Sequence, residues 1–309
     1  MGKMETSPMS QATTNTQASG QNDFNEAVVQ SVIKEISHIA TLPEVTMKIV
    51  QLVEDPDSTA QDLNHVITND PALGARILKV VNSAFYGLPG QIGSINRAIV
   101  LLGLNAVKNI AIAASLSKLF RGGQICPGFD ARELWTHSIA VASATRMLAS
   151  KSGQGMPDEA FLAGLIHDLG IMVEIQARRP KFVEAFEKTQ KEGLTLREAE
   201  NAVFGAHHEH FGNALCKLWK FPENFCHVTG FHHHPMDLPA MYRAIPGLVY
   251  VADIIAARME LGYGGDVEST EIDPQLLGEL KLTPEHLEET INELPAAMDE
   301  ASNLLRDSS

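Results

Sequence analysis

The segment FLAGLIHDLG, residues 161–170, places a histidine and an aspartate in the middle of a predicted apolar helix. Six apolar or glycine residues precede His167 and Asp168, and Leu169 and Gly170 follow them. Burying an ionisable side chain is costly unless that side chain is paired or binds a metal ion. The segment therefore predicts a buried helix whose two polar side chains find their partners elsewhere in the chain.

Helix signals dominate the sequence on both sides of this segment. Asp70 and Pro71 have the residue types favoured at the N-cap and the first position of a helix. Ser58 and Gln61 have capping-box spacing, and Thr195 begins a similar pattern. No run of alternating β-branched residues is bounded by turn residues, so strands should be minor. The fold class predicted from these patterns is all-α.

Changes in composition predict four segments. The first 22 residues are rich in Ser, Thr, Gln and Asn, with almost no large apolar side chains, which is typical of disorder. RGGQICPG, which begins at residue 121, has the composition of a boundary between two helical units. The predicted segments are a disordered tail (1–22), an N-terminal helical half (23–120), a half that carries a metal site (121–262) and an acidic C-terminal helical extension (263–309).

Charge and hydropathy exclude some classes of function. The formal net charge is −14, and residues 266–309 hold 12 acidic and 2 basic side chains, so the extension predicts a solvated helix face. Because no basic stripe appears, nucleic-acid binding is not expected as the main activity. Asn105, Lys108 and Asn109 interrupt the most apolar run, which therefore predicts core helices rather than a membrane span. Three cysteines without a CxxC pair, and a polar N-terminus, favour a cytoplasmic protein.

Histidines are concentrated in one region, because nine of the twelve lie between residues 137 and 234. His137 follows Glu133 by four residues, so both lie on one helix face. Glu133 could instead form a capping box with Asp130, and His137 could be a packed core histidine. The histidines between 207 and 210 begin a helix, where at least two should face solvent. Those between 232 and 234 end another helix, where the helix dipole favours them.

Asp253 is harder to explain without a ligand, because it lies in the apolar helix LVYVADIIAA. Arg258 is five residues further on and poorly placed to pair with it. A metal ion or a buried histidine is therefore the expected partner. Imidazole and carboxylate ligands suit one or two divalent ions of Fe, Mn, Zn or Ni, and a bridging aspartate suits two. Such a site could activate water for attack at phosphorus.

The order of these residues resembles a known family. His137, then His167–Asp168, then Asp253 resembles the HD superfamily of metal-dependent phosphohydrolases, and is closer to its HDOD branch, the HD-related output domains of bacterial signalling. The resemblance covers about residues 26–290. It is carried by LPEVTMKIVQLVEDPDSTAQDLNHVITNDPALGARILKVVNSAFYG in the N-terminal half and by WTHSIAVA, FLAGLIHDLG, HHEHFG, HHHP and VYVAD in the C-terminal half.

The resemblance implies an HD-type helical bundle with an N-terminal helical subdomain and a role in signal transduction. The related HD-GYP branch hydrolyses cyclic dinucleotides at a centre of two or three metal ions. Carried over residue by residue, its ligand pattern implies a metal site here, with His167 and Asp168 as the catalytic residues if the protein is active. The implied metal ligands are Glu133, His137, His167, Asp168, His208, His232, His233 and Asp253.

Two departures from the HD-GYP pattern bear on catalysis. That pattern carries a lysine in HDxGK that holds substrate phosphate, whereas the equivalent residue here is Ile171. The GYP segment is also absent, because HHHPMDLPAMYRAIP follows the paired histidines instead. A metal ion held without the phosphate-binding lysine could be structural or sensory.

Three hypotheses follow. The leading one is a cytoplasmic HDOD signalling module that binds one or two metal ions and acts through partner proteins. The second is an active phosphohydrolase or phosphodiesterase acting on a nucleotide or a cyclic dinucleotide. The third is a metal-free helical scaffold whose histidines are only hydrogen-bonded. No receiver, GGDEF or EAL segment is recognised in the sequence, so the input is expected from another protein or a ligand, and nothing indicates an oligomeric state.

Overall fold

A computed structural model of the protein describes residues 26–35, 44–83, 86–116, 119, 123–267, 269 and 271–305. The tail predicted at residues 1–22 lies outside these ranges. Helices account for almost all regular structure in the described part, and the two short strands form one antiparallel pair. The all-α prediction is confirmed.

The N-terminal half is a group of short helices around an apolar core. Asp70 caps its fourth helix by accepting a hydrogen bond from the backbone N–H of Leu73, and Pro71 is the first helical residue, as predicted. Leu73 and Ile77 of that helix are completely buried. The helices are α1 (26–35), α2 (Glu44–Glu54), α3 (Ala60–Thr68), α4 (Pro71–Val81), α5 (Ile95–Leu102) and α6 (Leu104–Leu116).

The start of α3 differs from the prediction by one residue. Thr59, not Ser58, is the N-cap, and its capping box is completed by Asp62. The hydroxyl of Ser58 instead donates to the carbonyl of Leu52 and accepts a hydrogen bond from the buried ammonium of Lys108. Ser58 therefore joins α2 to α6, a tertiary role that local spacing does not reveal.

The C-terminal half consists of longer helices that pack on one another. The second helix of this half, α8, packs against α7, and α11 packs against α9. Arg178 has non-helical backbone angles just before Pro180, so α9 is kinked where the proline predicts a break. The elements are β1 (Gln124–Cys126), β2 (Phe129–Asp130), α7 (Ala131–Ser152), α8 (Pro157–Ile166), α9 (Leu169–Glu192), α10 (Leu196–Phe204), α11 (His208–Leu218), α12 (Glu223–Phe231) and α13 (Ala244–Arg258).

The acidic extension forms α14 (Pro274–Glu279) and α15 (Pro284–Leu305), and it contacts both halves. Lys151 of α7 forms a 2.6 Å ion pair with Glu289 of α15. Lys79 of α4 donates to the carbonyl oxygen of Asn303 at 2.9 Å. The extension is thus docked along one face while its acidic residues remain mostly exposed.

One helical stretch, Pro157–Glu192, is long and apolar enough to cross a membrane by length and composition alone. The most apolar window of this stretch is 83% buried inside the protein. That degree of burial is typical of a core helix and agrees with the burial predicted for the segment 161–170.

Candidate metal centre

The HD pair, His167 and Asp168, lies at a junction between two helices rather than inside one helix. His167 follows the end of α8 and Asp168 precedes α9, so the prediction of one continuous helix was wrong at these two residues. The ring of His167 contacts the carbonyl oxygen of Gly164 through Nδ1 at 2.8 Å. The Nε2 atom of His167 therefore points the other way, into the buried cluster, where it lies 3.1 Å from Oδ2 of Asp168.

His137 and Asp253 meet across the interface of α7 and α13. Nε2 of His137 lies 2.9 Å from Oδ1 of Asp253, and both side chains are buried. Of the two partners expected for Asp253, a metal ion or a buried histidine, the structure shows the histidine. Ligand atoms of His137, His167 and Asp253 all lie within 4.8 Å of one another, which is close enough to share an ion.

His208 is held by a carboxylate on the neighbouring helix. Its Nδ1 lies 2.9 Å from Oε2 of Glu200 on α10, and the same carboxylate accepts the backbone N–H of His208 at 3.0 Å. A carboxylate on one ring nitrogen fixes the tautomer and leaves the other nitrogen available to a metal. Glu200 is therefore a supporting residue of the site, which the sequence analysis did not identify.

The paired histidines after α12 complete one side of the cluster. His232 contacts the carbonyl oxygen of Val228 through Nδ1 at 3.1 Å, so its Nε2 faces Asp168, with Oδ1 at 3.4 Å. Nε2 of His233 lies 3.2 Å from Nε2 of His208. His233 is 7% exposed, whereas His232 is fully buried.

The sequence analysis assigned no role to Asp266, which follows two glycines, Gly264 and Gly265. Its side chain is fully buried, and Oδ2 lies 3.4 Å from Nε2 of His233. Ligand atoms of Asp266 fall within 4.8 Å of those of two overlapping groups. The first is His208, His232 and His233, and the second is His167, Asp168 and His232.

Seven of the eight predicted ligands converge, and Glu133 is the exception. Its side chain is exposed, and its backbone carbonyl accepts the N–H of Tyr263 at 3.1 Å. The box predicted with Asp130 is also not formed, because Asp130 caps α7 through the N–H of Arg132 instead. Ile171, which replaces the lysine of the HD-GYP pattern, is completely buried.

The histidines predicted to face solvent are less exposed than expected. His207 and His210 are both partly buried, and their ring centroids lie 3.9 Å apart. Nδ1 of His207 lies 3.2 Å from the buried carboxylate of Glu209. The residues on either side of His208 at the start of α11 are therefore packed against one another and not directed into solvent.

The donor set fits a divalent transition metal. Asp168 sits 3.1 and 3.4 Å from two histidine nitrogens, yet the geometry of neither approach makes a hydrogen bond. Buried polar atoms without partners are rare and require an explanation such as an ion. In the cluster, atoms of this kind include Nε2 of His167, both carboxylate oxygens of Asp168, Nε2 of His232 and both carboxylate oxygens of Asp266.

Burial and neighbouring charges divide the histidines into two classes. Burial lowers the pKa of His167 and of His208, but Asp168 and Glu200 respectively outweigh it, raising these pKa values to about 9 and about 10. Burial, reinforced by neighbouring histidines, lowers the pKa of His232 and of His233 to about 3. The first two therefore hold protons that an ion must displace, and the other two are neutral.

The buried carboxyl groups also fall into two classes, one with a lowered pKa and one with a raised pKa. Burial would raise the pKa of Asp168, but the adjacent His167 outweighs it and holds the pKa well below the usual range. Burial raises the pKa of Asp266, and the charge of Asp168 adds to that effect. Burial also raises the pKa of Glu174 well above its usual range, with Glu200 adding to the shift.

Comparison with solved structures supports the fold. An HDOD domain protein of unknown function from Geobacter sulfurreducens is 25% identical, with a TM-score of 0.74 over 92% of this chain and 97% of its own. A candidate signal transduction protein from Marinobacter aquaeolei VT8 is 22% identical, with a TM-score of 0.71 over 93% of this chain and 65% of its own. A candidate phosphohydrolase from Shewanella amazonensis SB2B is 23% identical, with a TM-score of 0.69 over 89% of this chain and 98% of its own.

Comparison at the level of sequence gives the family. An uncharacterised protein of Treponema pallidum (strain Nichols) is 24% identical over 225 residues, which are 72% of this chain. The chain spans 43% of the length of that relative. The family model of the HDOD domain matches residues 39–235, more than half of the chain. The chain therefore belongs to the HDOD family.

Proposed function

We propose that the protein is a signal-transduction module that holds divalent metal in the buried cluster and acts by contact with partner proteins. The observation that carries this proposal is the burial of the ligands. His137, His167, Asp168, His208 and His232 have no exposed surface, and Asp253 and His233 are only 1% and 7% exposed. An ion held this way can stabilise or switch the fold without meeting a substrate.

The surroundings of the HD pair support the same proposal. A phosphohydrolase must neutralise substrate phosphate, and a lysine or arginine near the ions usually does so. The residue at the corresponding place, Ile171, is apolar and buried. Its backbone N–H is hydrogen-bonded to the carbonyl of Asp168 at 3.1 Å, so this turn of α9 packs into the core. Binding without turnover fits these contacts better than hydrolysis does.

Metal analysis of the purified protein tests the proposal. We expect stoichiometric divalent metal after reconstitution, together with a rise in the midpoint of thermal unfolding that a chelator reverses. His167→Ala, which removes a ligand of one group, should reduce both effects. His65→Ala, which changes an exposed histidine on α3, is the matched control and should change neither. A wild-type protein that holds no metal and melts identically with and without a chelator would leave the metal-free scaffold as the better account.

Hydrolysis is the second candidate, and the position of Asp168 favours it. Its two oxygens face His167 on one side and His232 on the other, the position of a ligand shared by two ions. Two divalent ions, when bound, would supply Lewis-acid activation of water for attack at phosphorus. Turnover of bis-p-nitrophenyl phosphate or of a cyclic dinucleotide, lost in His167→Ala and kept in His65→Ala, would favour the enzyme over the binding module.

A further inference from the structure

Asp266 is a buried carboxylate that the family resemblance does not assign. It lies on the connection after α13, its side chain has no exposed surface, and both carboxylate oxygens lack a hydrogen-bond partner. An ionised carboxylate in such surroundings is costly unless a cation neutralises it. The described residues around it supply imidazole rings, which are common metal ligands, and no lysine or arginine ion pair.

The spacing of its neighbours suits a metal ion. Nε2 of His233 lies 3.4 Å from Oδ2 of Asp266 and 3.2 Å from Nε2 of His208. Ligands about 2.0–2.1 Å from a tetrahedral zinc ion lie about 3.3 Å from one another. The Nδ1 atom of His208 faces Glu200, so its Nε2 is directed toward this group. Two of the three pairs thus already have the spacing of metal ligands, and the ligand atoms of His208 and Asp266 lie within 4.8 Å of each other.

The connection that carries Asp266 is pressed against α7. A Cβ atom at Gly262 would lie 2.4 Å from the carbonyl oxygen of Glu133 and from the backbone nitrogen of His137, and Gly262 has a φ of +75°. Both features require glycine. The N–H of Tyr263 then donates to the carbonyl oxygen of Glu133. This close packing on α7 brings the backbone near the cluster and places the side chain of Asp266 within it.

We propose that Asp266 is a ligand of a second divalent transition-metal ion, held together with His208 and His233. The first ion would be held by the group His137, His167 and Asp253. This inference rests on the proposed metal binding and adds the number of ions and a ligand outside the family pattern. It also implies that metal binding orders the connection between α13 and α14, because Asp266 in that connection would be bound to the ion.

Metal stoichiometry in matched aspartate variants tests the proposal. The probe is Zn²⁺, which outcompetes most first-row ions at sites of this kind. After reconstitution and desalting, we expect two ions per chain in the wild type, one in Asp266→Asn and one in Asp253→Asn. Asp237→Asn changes an exposed aspartate between α12 and α13 and should keep two. His233→Gln removes another ligand of the same proposed ion and should also retain one zinc ion per chain. It therefore tests the proposal even if Asp266→Asn fails to fold.

Hydrogen exchange gives a second, independent measurement. Zn²⁺ should slow exchange in peptides covering residues 259–267 of the wild type and of Asp237→Asn, and this protection should be lost in Asp266→Asn. If Asp266→Asn and His233→Gln both retain two ions and full protection, Asp266 is not a ligand and only this inference fails. If the wild type holds no ion at all, the proposed metal-binding function fails together with it.

Discussion

Gly170→Ala tests whether the close contact of α9 with α11 positions the metal ligands. A Cβ atom at Gly170 would lie 1.8 Å from the carbonyl oxygen of His208 and 2.9 Å from the backbone nitrogen of Gly212. Ordinary contacts of this type are about 3.5 Å, so the two helices would have to separate by roughly 1.5 Å. Because the obstructing atoms belong to the backbone, no side-chain rotation can relieve the clash.

The displacement should reduce both stability and metal affinity. Overpacking of a core costs about 1–3 kcal/mol, and a clash with backbone places Gly170→Ala at the upper end of that range or beyond it. Metal ligands tolerate shifts of only about 0.2 Å, so moving His208 by several times that distance should lower affinity at least about tenfold. Denaturant unfolding in the presence of a chelator measures the first effect, and competition with a chromophoric chelator measures the second.

Gly278→Ala is the matched control for this prediction. Gly278 lies in α14, and a Cβ atom there would meet no other atom within 4 Å. Alanine is the better helix former, so Gly278→Ala should leave metal affinity unchanged and raise stability by about 0.5–1 kcal/mol. A Gly170→Ala protein with the unfolding free energy and the zinc affinity of the wild type would refute the reasoning.

Three further predictions concern the supports of the site and of the fold. Glu200→Gln should lower metal affinity about 10–100-fold, because Glu200 orients His208, and chelator competition measures the loss. Metal binding at pH 7 should release protons, because the pKa values of His167 and His208 are raised to about 9 and about 10 without metal. Affinity should therefore rise with pH up to about 10, the pKa of His208, and calorimetry in buffers of different ionisation enthalpy counts the protons. Asp70→Ala removes the cap of α4 and should cost about 1 kcal/mol in denaturant unfolding, an expectation that an unchanged midpoint would contradict.

Local signals in the sequence predicted most of the helices correctly. Pro71 is the first residue of α4, and Thr195 forms its capping box with Glu198, because caps depend only on residues within one turn. The same signals failed where a tertiary contact competed with them. Ser58 has the right spacing for a cap, but it hydrogen-bonds Leu52 and Lys108, and the cap moves to Thr59.

The sequence indicates candidate site residues most clearly where ionisable side chains interrupt apolar helices. Asp253 is conspicuous because nothing near it in sequence can pair with it, and His167 and Asp168 are conspicuous because they interrupt an apolar segment. Glu133 was included because the resemblance implies a carboxylate ligand there, and it shares a helix face with His137. Neither signal shows which face of the helix meets a neighbour, and the Glu133 side chain is exposed. Asp266 was missed for the opposite reason. Glycine-rich turns are usually exposed, whereas this one packs against α7 at Gly262 and its aspartate is buried.

The distribution of the ligands decides what an ion could do in this fold. They come from α7, the α8–α9 junction, α11, the end of α12, α13 and the connection after it, so an ion would join elements that are distant in sequence. An ion that binds only the folded state stabilises it by RT ln(1 + [L]/Kd), about 4 kcal/mol at a thousandfold excess over Kd. That is a large fraction of the stability of an ordinary domain. Removing the ion would leave partnerless carboxylates such as Asp168 buried among helices that no longer share a ligand. A difference of that size in stability between the metal-bound and metal-free protein is sufficient for a module that signals through its conformation. No substrate has to reach the ion.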